Sequence, residues 1–155
     1  MKNFAYGSNM STEFIREYCP SAAFVMRANL PNFQVEFRHY SGDFEGAISS
    51  IIEAPGEMVK GVIYEVDEKE ILALDILESV PQGIYLRDTF LVLGEDGEWH
   101  HADLYRVAKP SGPYPPSKQY VDLMVAGAKE HQIDPDYTAR LVSLRKSLDS
   151  EIESK

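Results

Sequence analysis

Several stretches of this 155-residue chain hold residue types that can do chemistry. The first is Gly7, Ser8 and Asn9, set between a strand-like apolar run and a helix. A strand-to-helix turn leaves N–H groups without intrahelical partners at the positive end of a helix dipole. Glycine there permits φ > 0 or a close ligand approach. Together these would make an anion site without a formal charge. Ordinary turn and cap chemistry explains the same residues, and on these residues alone it is the stronger explanation.

The second is the carboxylate pair Asp75 and Glu78, among Leu74, Ile76 and Leu77. Three-residue spacing puts them on neighbouring positions of one helix face. A carboxylate at a helix C-terminus meets the unfavourable end of the dipole, which raises its pKa and suits a general base. A solvated face gives the same pattern, and alone that explanation is stronger. Tyr6, Tyr85 and Tyr120 each stand beside a loop or cap; singly, each reads as half-buried packing with a satisfied hydroxyl.

Other polar residues point to less. His100 and His101 are adjacent in a strand and face opposite sides, so they do not chelate one metal together. His39 reads as a strand residue and His131 as an exposed helix-end residue. Cys19, the only cysteine, has no basic neighbour to activate it and reads as structural. "PYPPS" reads as a rigid connector that presents Tyr114 or crosses a barrel mouth, with a polyproline ligand as the alternative.

The elements that must position these residues are legible from periodicity. Residues 3–6 read as a strand and residues 11–18 as a helix capped by Ser11 or Asn9. Residues 24–30 read as a strand, and residues 33–40 alternate with period two. "AISSIIEA" and "VKGVIYEV" read as strands separated by the turn signal "PGE". The period then changes: Asp67 with Glu70 forms a capping-box pattern before a helix that ends near Pro81. Two strands, residues 85–93 and 99–107, flank the hairpin signal "GEDGE". The proline-rich residues 109–116 read as irregular or extended chain. Ser117 caps a helix to about His131, and Asp134 with Pro135 opens another.

Six or seven strands on short turns, with interspersed helices, predict an α+β fold. A small mixed or antiparallel β-barrel with flanking helices would leave no exposed edges. Residues 1–148 are expected to form one domain and residues 149–155 a charged flexible tail.

Composition narrows the function. Fifteen Lys and Arg against 25 Asp and Glu give a net charge of −10, which repels a phosphate backbone and argues against nucleic-acid binding. No apolar run approaches the ~20 residues of a membrane span, and the N-terminus lacks a signal-like apolar core. A cytoplasmic location is expected.

Three segments, "FAYGSNM", "LDILESVPQGIYLR" and "PPSKQY", occur in the order seen in the gamma-glutamylcyclotransferase-like family, which the chain resembles. "CPSAAF", "GAISSII", "PGEMVKGVIYEV" and "GAKEH" are similar to family segments too, so the resemblance spans residues 3–145. It implies a mixed fold with a small β-barrel. It implies that Tyr6, Gly7, Ser8 and Asn9 hold a glutamyl moiety, that Glu78 is the catalytic acid/base, that Tyr85 lines the pocket and that Tyr120 closes its side. The implied reaction releases 5-oxoproline from a small gamma-glutamyl amide or peptide without metal or organic cofactor. Activity on a gamma-glutamylamine of a specialised pathway, or a silent module binding a carboxylated metabolite, are the alternatives, and a homodimer stays open. Family members often carry Glu-Gly where this chain has Glu78 and Ser79; serine costs more than glycine if φ is positive there.

Overall fold

In the computed structural model, which describes residues 1–153, alternating apolar residues close a five-stranded barrel. Its strands are β1 (Lys2–Ala5), β2 (Ala23–Ser41), β3 (Gly46–Glu65), β4 (Tyr85–Gly94) and β5 (Trp99–Val107), in the order β1-β3-β2-β4-β5. Neighbours pair antiparallel, except that β1 meets β5 in parallel at Asn3 and Asp103 and so closes the ring. The architecture is the expected α+β barrel with helices outside.

The strand count is lower than the turn signals predict. Residues 24–30 and 33–40 are one strand, and so are "AISSIIEA" and "VKGVIYEV". Register jumps between Pro31 and Phe33 while the partner strand loops out from Glu53 to Met58. The "PGE" signal is therefore a bulge and not a chain reversal. Asn32, at φ 66°, accepts from the Gly56 N–H across it. A bulge keeps long strands paired while adding the bend a small barrel needs.

Two apolar clusters stabilise this arrangement. Phe4, Leu30, Val59, Ile63, Val92 and Leu104 pack inside the barrel. Ala5, Val62 and Tyr64 face outward from β1 and β3 into a second cluster beneath the helices, joined by Val66 just past β3. These strands are thus buried on both faces, which removes clean alternation from their sequence.

The helices are α1 (Thr12–Arg16), α2 (Glu68–Leu77), α3 (Lys118–Glu130) and α4 (Pro135–Glu153). Ser117 caps α3 by accepting from the Tyr120 N–H, and Asp134 accepts from the N–H groups of Asp136 and Tyr137 to start α4. Asp67 caps α2 through Lys69, but the expected reciprocal bond from Glu70 is absent. Glu70 instead accepts from the Ser21 N–H and hydroxyl, and Ser21 in turn accepts from the Asp67 N–H. Helix α4 runs through residues 149–153 of the expected tail; residues 154–155 lie outside those described. Among the described residues, no helix is long and apolar enough to cross a membrane.

Candidate active site

One face of α3 fixes the N-terminal loop. Tyr120, Met124 and Gly127 recur at helical spacing and are buried. Gly127 lies so close to the loop that a Cβ there would come 2.5 Å from the Met10 main chain. That contact seats Tyr120 over Gly7, where a Cβ would collide with the Tyr120 hydroxyl and stand 2.7 Å from Ser49 Oγ. Gly7 itself has φ −110°, so absence of a side chain, and not a left-handed backbone, is what this position requires.

The loop is a single 3₁₀ turn, Ser8–Met10, followed by a kink at Ser11, which caps the short α1 through the Phe14 N–H. The expected helix over residues 11–18 is therefore reduced to five residues, too few for a useful macrodipole at the loop. The anion-site reading loses its main electrostatic support.

At the other end of the site, α2 stops in a Schellman arrangement. The Ser79 N–H donates to the Ile76 carbonyl and the Val80 N–H to the Asp75 carbonyl. The residue after the cap must then be left-handed, and Ser79 occupies it at φ 53°. The cap residue is Glu78. Its side chain turns toward the barrel end and accepts from Asn9 Nδ2 at 3.3 Å. The Asn9 Oδ1 is buried without a partner.

Asp75 does not join Glu78. Its carboxylate accepts from the Tyr105 hydroxyl at 2.7 Å and from Arg87 Nε at 2.9 Å, and Arg87 also pairs with Asp103. The two carboxylates of the sequence pattern therefore serve different surroundings.

Glu78 stands where two spaces meet. An inner recess of about 20 Å³ is lined by Tyr6, Gly7, Asn9 and Tyr105, among others. It shares Ser8, Glu78, Tyr85 and Tyr120 with an outer cleft of about 470 Å³. All seven residues expected from the resemblance thus converge here. Burial pushes the Glu78 carboxyl up to about 7, against a smaller lowering by the Asn9 bond. Burial also raises Tyr6, Tyr85 and Tyr120, so their hydroxyls stay protonated.

Two of those protons are already committed. Tyr6 donates to the Tyr105 carbonyl and Tyr85 to the Ser49 carbonyl. What the two phenols have left to offer is oxygen lone pairs. Tyr120 and Ser49 Oγ share a hydrogen bond at 2.8 Å, with either as donor. Ser49 and its neighbour Ser50, which accepts from the Val107 N–H, were not singled out from sequence. Consecutive serines inside an otherwise apolar strand were the available signal, because buried hydroxyls require partners.

The remaining sequence candidates lie elsewhere or serve packing. His39 lines the cleft, edge-on to Tyr85. His131 is not exposed: its side chain is only 6% accessible, stacks on Phe24, and bonds the Met10 carbonyl and Tyr64 hydroxyl. Cys19 is buried, with its thiol raised to about 11. The proline-rich connector runs along the ends of β2 and β3, where it donates from Ser111 and Tyr114 to the Arg38 and Phe37 carbonyls. Among the described residues, no group of three or more His, Cys, Asp and Glu side chains converges as a metal site would.

This geometry has known counterparts. Residues 58–141 match the AIG2-like family. The chain is 33% identical to the gamma-glutamylcyclotransferase of Bos taurus over 145 residues, 91% of this chain and 77% of the relative. It is 32% identical to the Homo sapiens gamma-glutamylcyclotransferase over the same shares. A solved structure of a gamma-glutamyl cyclotransferase superposes with a TM-score of 0.86 at 32% identity, covering 91% of this chain and 85% of that one.

Proposed function

The chain belongs to the gamma-glutamylcyclotransferase (AIG2-like) family of enzymes, and on that premise we propose that it releases 5-oxoproline from a gamma-glutamyl amide, with Glu78 as the general acid/base. The observation that carries this is the position and state of Glu78. Its carboxyl lies at the junction of recess and cleft, and burial sets it near 7, where a group can both take and return a proton.

The substrate brings its own nucleophile, so the protein has mainly to fold it. Holding the α-amino nitrogen against the γ-carbonyl converts ring closure into a favourable intramolecular step. The inner recess has room for about one water-sized group. Its acceptors with capacity left are the Tyr85 oxygen, Asn9 Oδ1 and the Glu78 carboxylate, beside a Tyr6 oxygen that also bonds Ser50. That set fits an ammonium better than an anion. The α-ammonium sits in the recess and gives one proton to Glu78. The freed nitrogen attacks the γ-carbonyl carbon, closing the five-membered ring.

Ser8 and Tyr120, which line both spaces, and Ser49, which shares a hydrogen bond with Tyr120 in the recess, supply neutral donors for the α-carboxylate and the developing oxyanion. The C–N amide bond then breaks as Glu78 returns its proton to the departing nitrogen, and the second proton of the ring nitrogen follows to that amine, which leaves as an ammonium. One amide gives one 5-oxoproline and one free amine, with no water consumed.

The test is direct. The purified protein is incubated with a gamma-glutamyl amide and 5-oxoproline is measured by mass spectrometry. Release by the parent chain and its loss in Glu78→Gln is the expected result. Ligand-induced thermal stabilisation without release from any gamma-glutamyl amide would favour a binding module instead.

A further inference from the structure

His131 closes α3 far along the chain from the loop that its side chain holds. Its main-chain N–H donates to the Gly127 carbonyl, which fixes the last turn of the helix. Its ring stacks on Phe24, with centroids 4.7 Å apart, and meets Tyr64 edge-on. From that seat Nε2 lies 3.0 Å from the Met10 carbonyl, 2.9 Å from the Tyr64 hydroxyl and 3.2 Å from Thr12 Oγ1. The Tyr64 hydroxyl donates to the same Met10 carbonyl at 2.7 Å. A carbonyl only accepts and has two lone pairs, so this pattern puts the imidazole hydrogen on Nε2 and gives Met10 two donors.

Met10 ends the 3₁₀ turn that carries Ser8 and Asn9, and its own N–H closes that turn on the Gly7 carbonyl. The turn is three residues long and has no side-chain cap. Such short 3₁₀ segments have poor hydrogen-bond geometry of their own. This one is held from outside, by Gly127 packed against Met10 and by the two donors on its carbonyl. One residue back, Asn9 makes the single bond that Glu78 keeps.

Resting on the reading of Glu78 above, we infer that His131 is a positioning residue for the site: through the Met10 carbonyl it holds the loop in place and Asn9 within reach of the Glu78 carboxyl. It acts by place and not by charge. Burial lowers the imidazole, against smaller opposite effects of Glu130 and of the Met10 carbonyl, so the ring is largely neutral where Glu78 titrates. Charged groups facing this cluster are Glu130, 3.7 Å from Nε2, and Arg16 on the Tyr64 side. Losing the grip on Met10 weakens the Asn9 donor, which favours the carboxylate, so Glu78 should keep its proton to higher pH.

The Glu78 titration midpoint, read by carboxyl ¹³C NMR without substrate, tests this. His131→Phe keeps a ring on Phe24 but removes the donor, and should move the midpoint upward, as Asn9→Ala does. His131→Gln, which returns an N–H donor near the place of Nε2, should bring it back toward the parent. In an Asn9→Ala background His131→Phe should move it no further, because the link it breaks is already gone. With a gamma-glutamyl amide, His131→Phe should raise KM by about three- to tenfold, the equivalent of one hydrogen bond, and shift the acid limb of kcat/KM to higher pH. A parent-like midpoint in His131→Phe, with only a lower Tm, makes His131 a packing residue and overturns the inference. An equal shift with Asn9 already removed overturns it as well. If His131→Phe does not fold, Tyr64→Phe removes the other donor to the same carbonyl and is read by the same two outcomes. Absence of 5-oxoproline from the parent chain overturns the cyclotransferase reading, while the midpoints still decide the coupling.

Discussion

Asp75 and Glu78 lie one turn apart at the end of α2, have the same chemical group, and end in opposite conditions. Asp75 is held from two sides, by the Tyr105 hydroxyl and by an Arg87 that Asp103 also grips. Glu78 has one 3.3 Å bond from Asn9 and otherwise faces a cavity. Satisfied carboxylates build structure; a half-buried carboxylate with spare capacity stores reactivity. Three residues of sequence separation decide which is which, because α2 stops at Glu78 and the cap turns that side chain away from the helix face.

The contrast breaks most sharply in turnover. Glu78→Gln should lower 5-oxoproline release by about 10²–10⁴-fold, the usual range for losing a general acid/base. Asp75→Asn should retain most of the activity. Equal losses in the two variants would dissolve the distinction between them.

Stability should separate the pair in the other direction. Asp75→Asn removes a charge from a network whose partners are largely shielded, with Asp75 and Asp103 both 14% exposed. A loss of about 1–3 kcal/mol in urea unfolding is expected. For Glu78 the sign is reversed. Its folded pKa of about 7 lies above its unfolded value, so the native state holds the proton over a window where the unfolded chain has lost it. The parent chain therefore loses stability as pH rises from the unfolded pKa through about 7. Glu78→Gln should escape this loss and exceed the parent at pH 8 by about 3 kcal/mol, with no gain in acid.

A smaller effect tests the single bond that Glu78 keeps. Asn9→Ala removes the donor that favours the carboxylate, so the acid limb of the kcat/KM profile should move to higher pH. An acid limb left where it was would mean that Asn9 does not sense Glu78. The smallest effect lies next door. Ser79 holds φ 53° at a position suited to glycine, and Ser79→Gly should raise stability by about 0.5–1 kcal/mol, read as a higher Tm.

The elements were largely legible in the sequence because period-two and capping signals survive wherever one face is solvated. Caps at Ser117, Asp134 and Asp67 fell where they were expected. The strand count was not legible, since "PGE" reads as a reversal locally. Only the pairing of β2 with β3 on both sides of Asn32 makes it a bulge. The grouping of the candidate residues was legible through resemblance to a family and not through their chemistry. Gly7 looked like a turn glycine, whereas its need is for a gap beneath Tyr120, a residue more than a hundred positions away. His131 looked exposed because nothing local reveals that Tyr64 and Phe24 enclose it.

The state of one carboxyl bears most of the functional reading, and it can be followed without any substrate. Carboxyl ¹³C NMR of glutamate-labelled protein, with Glu78→Gln to assign the resonance, gives its titration midpoint. A midpoint near 7 is predicted. A midpoint near the ordinary glutamate value of about 4.3 would contradict it, since a carboxyl that gives up its proton so readily is no base poised for ring closure at neutral pH.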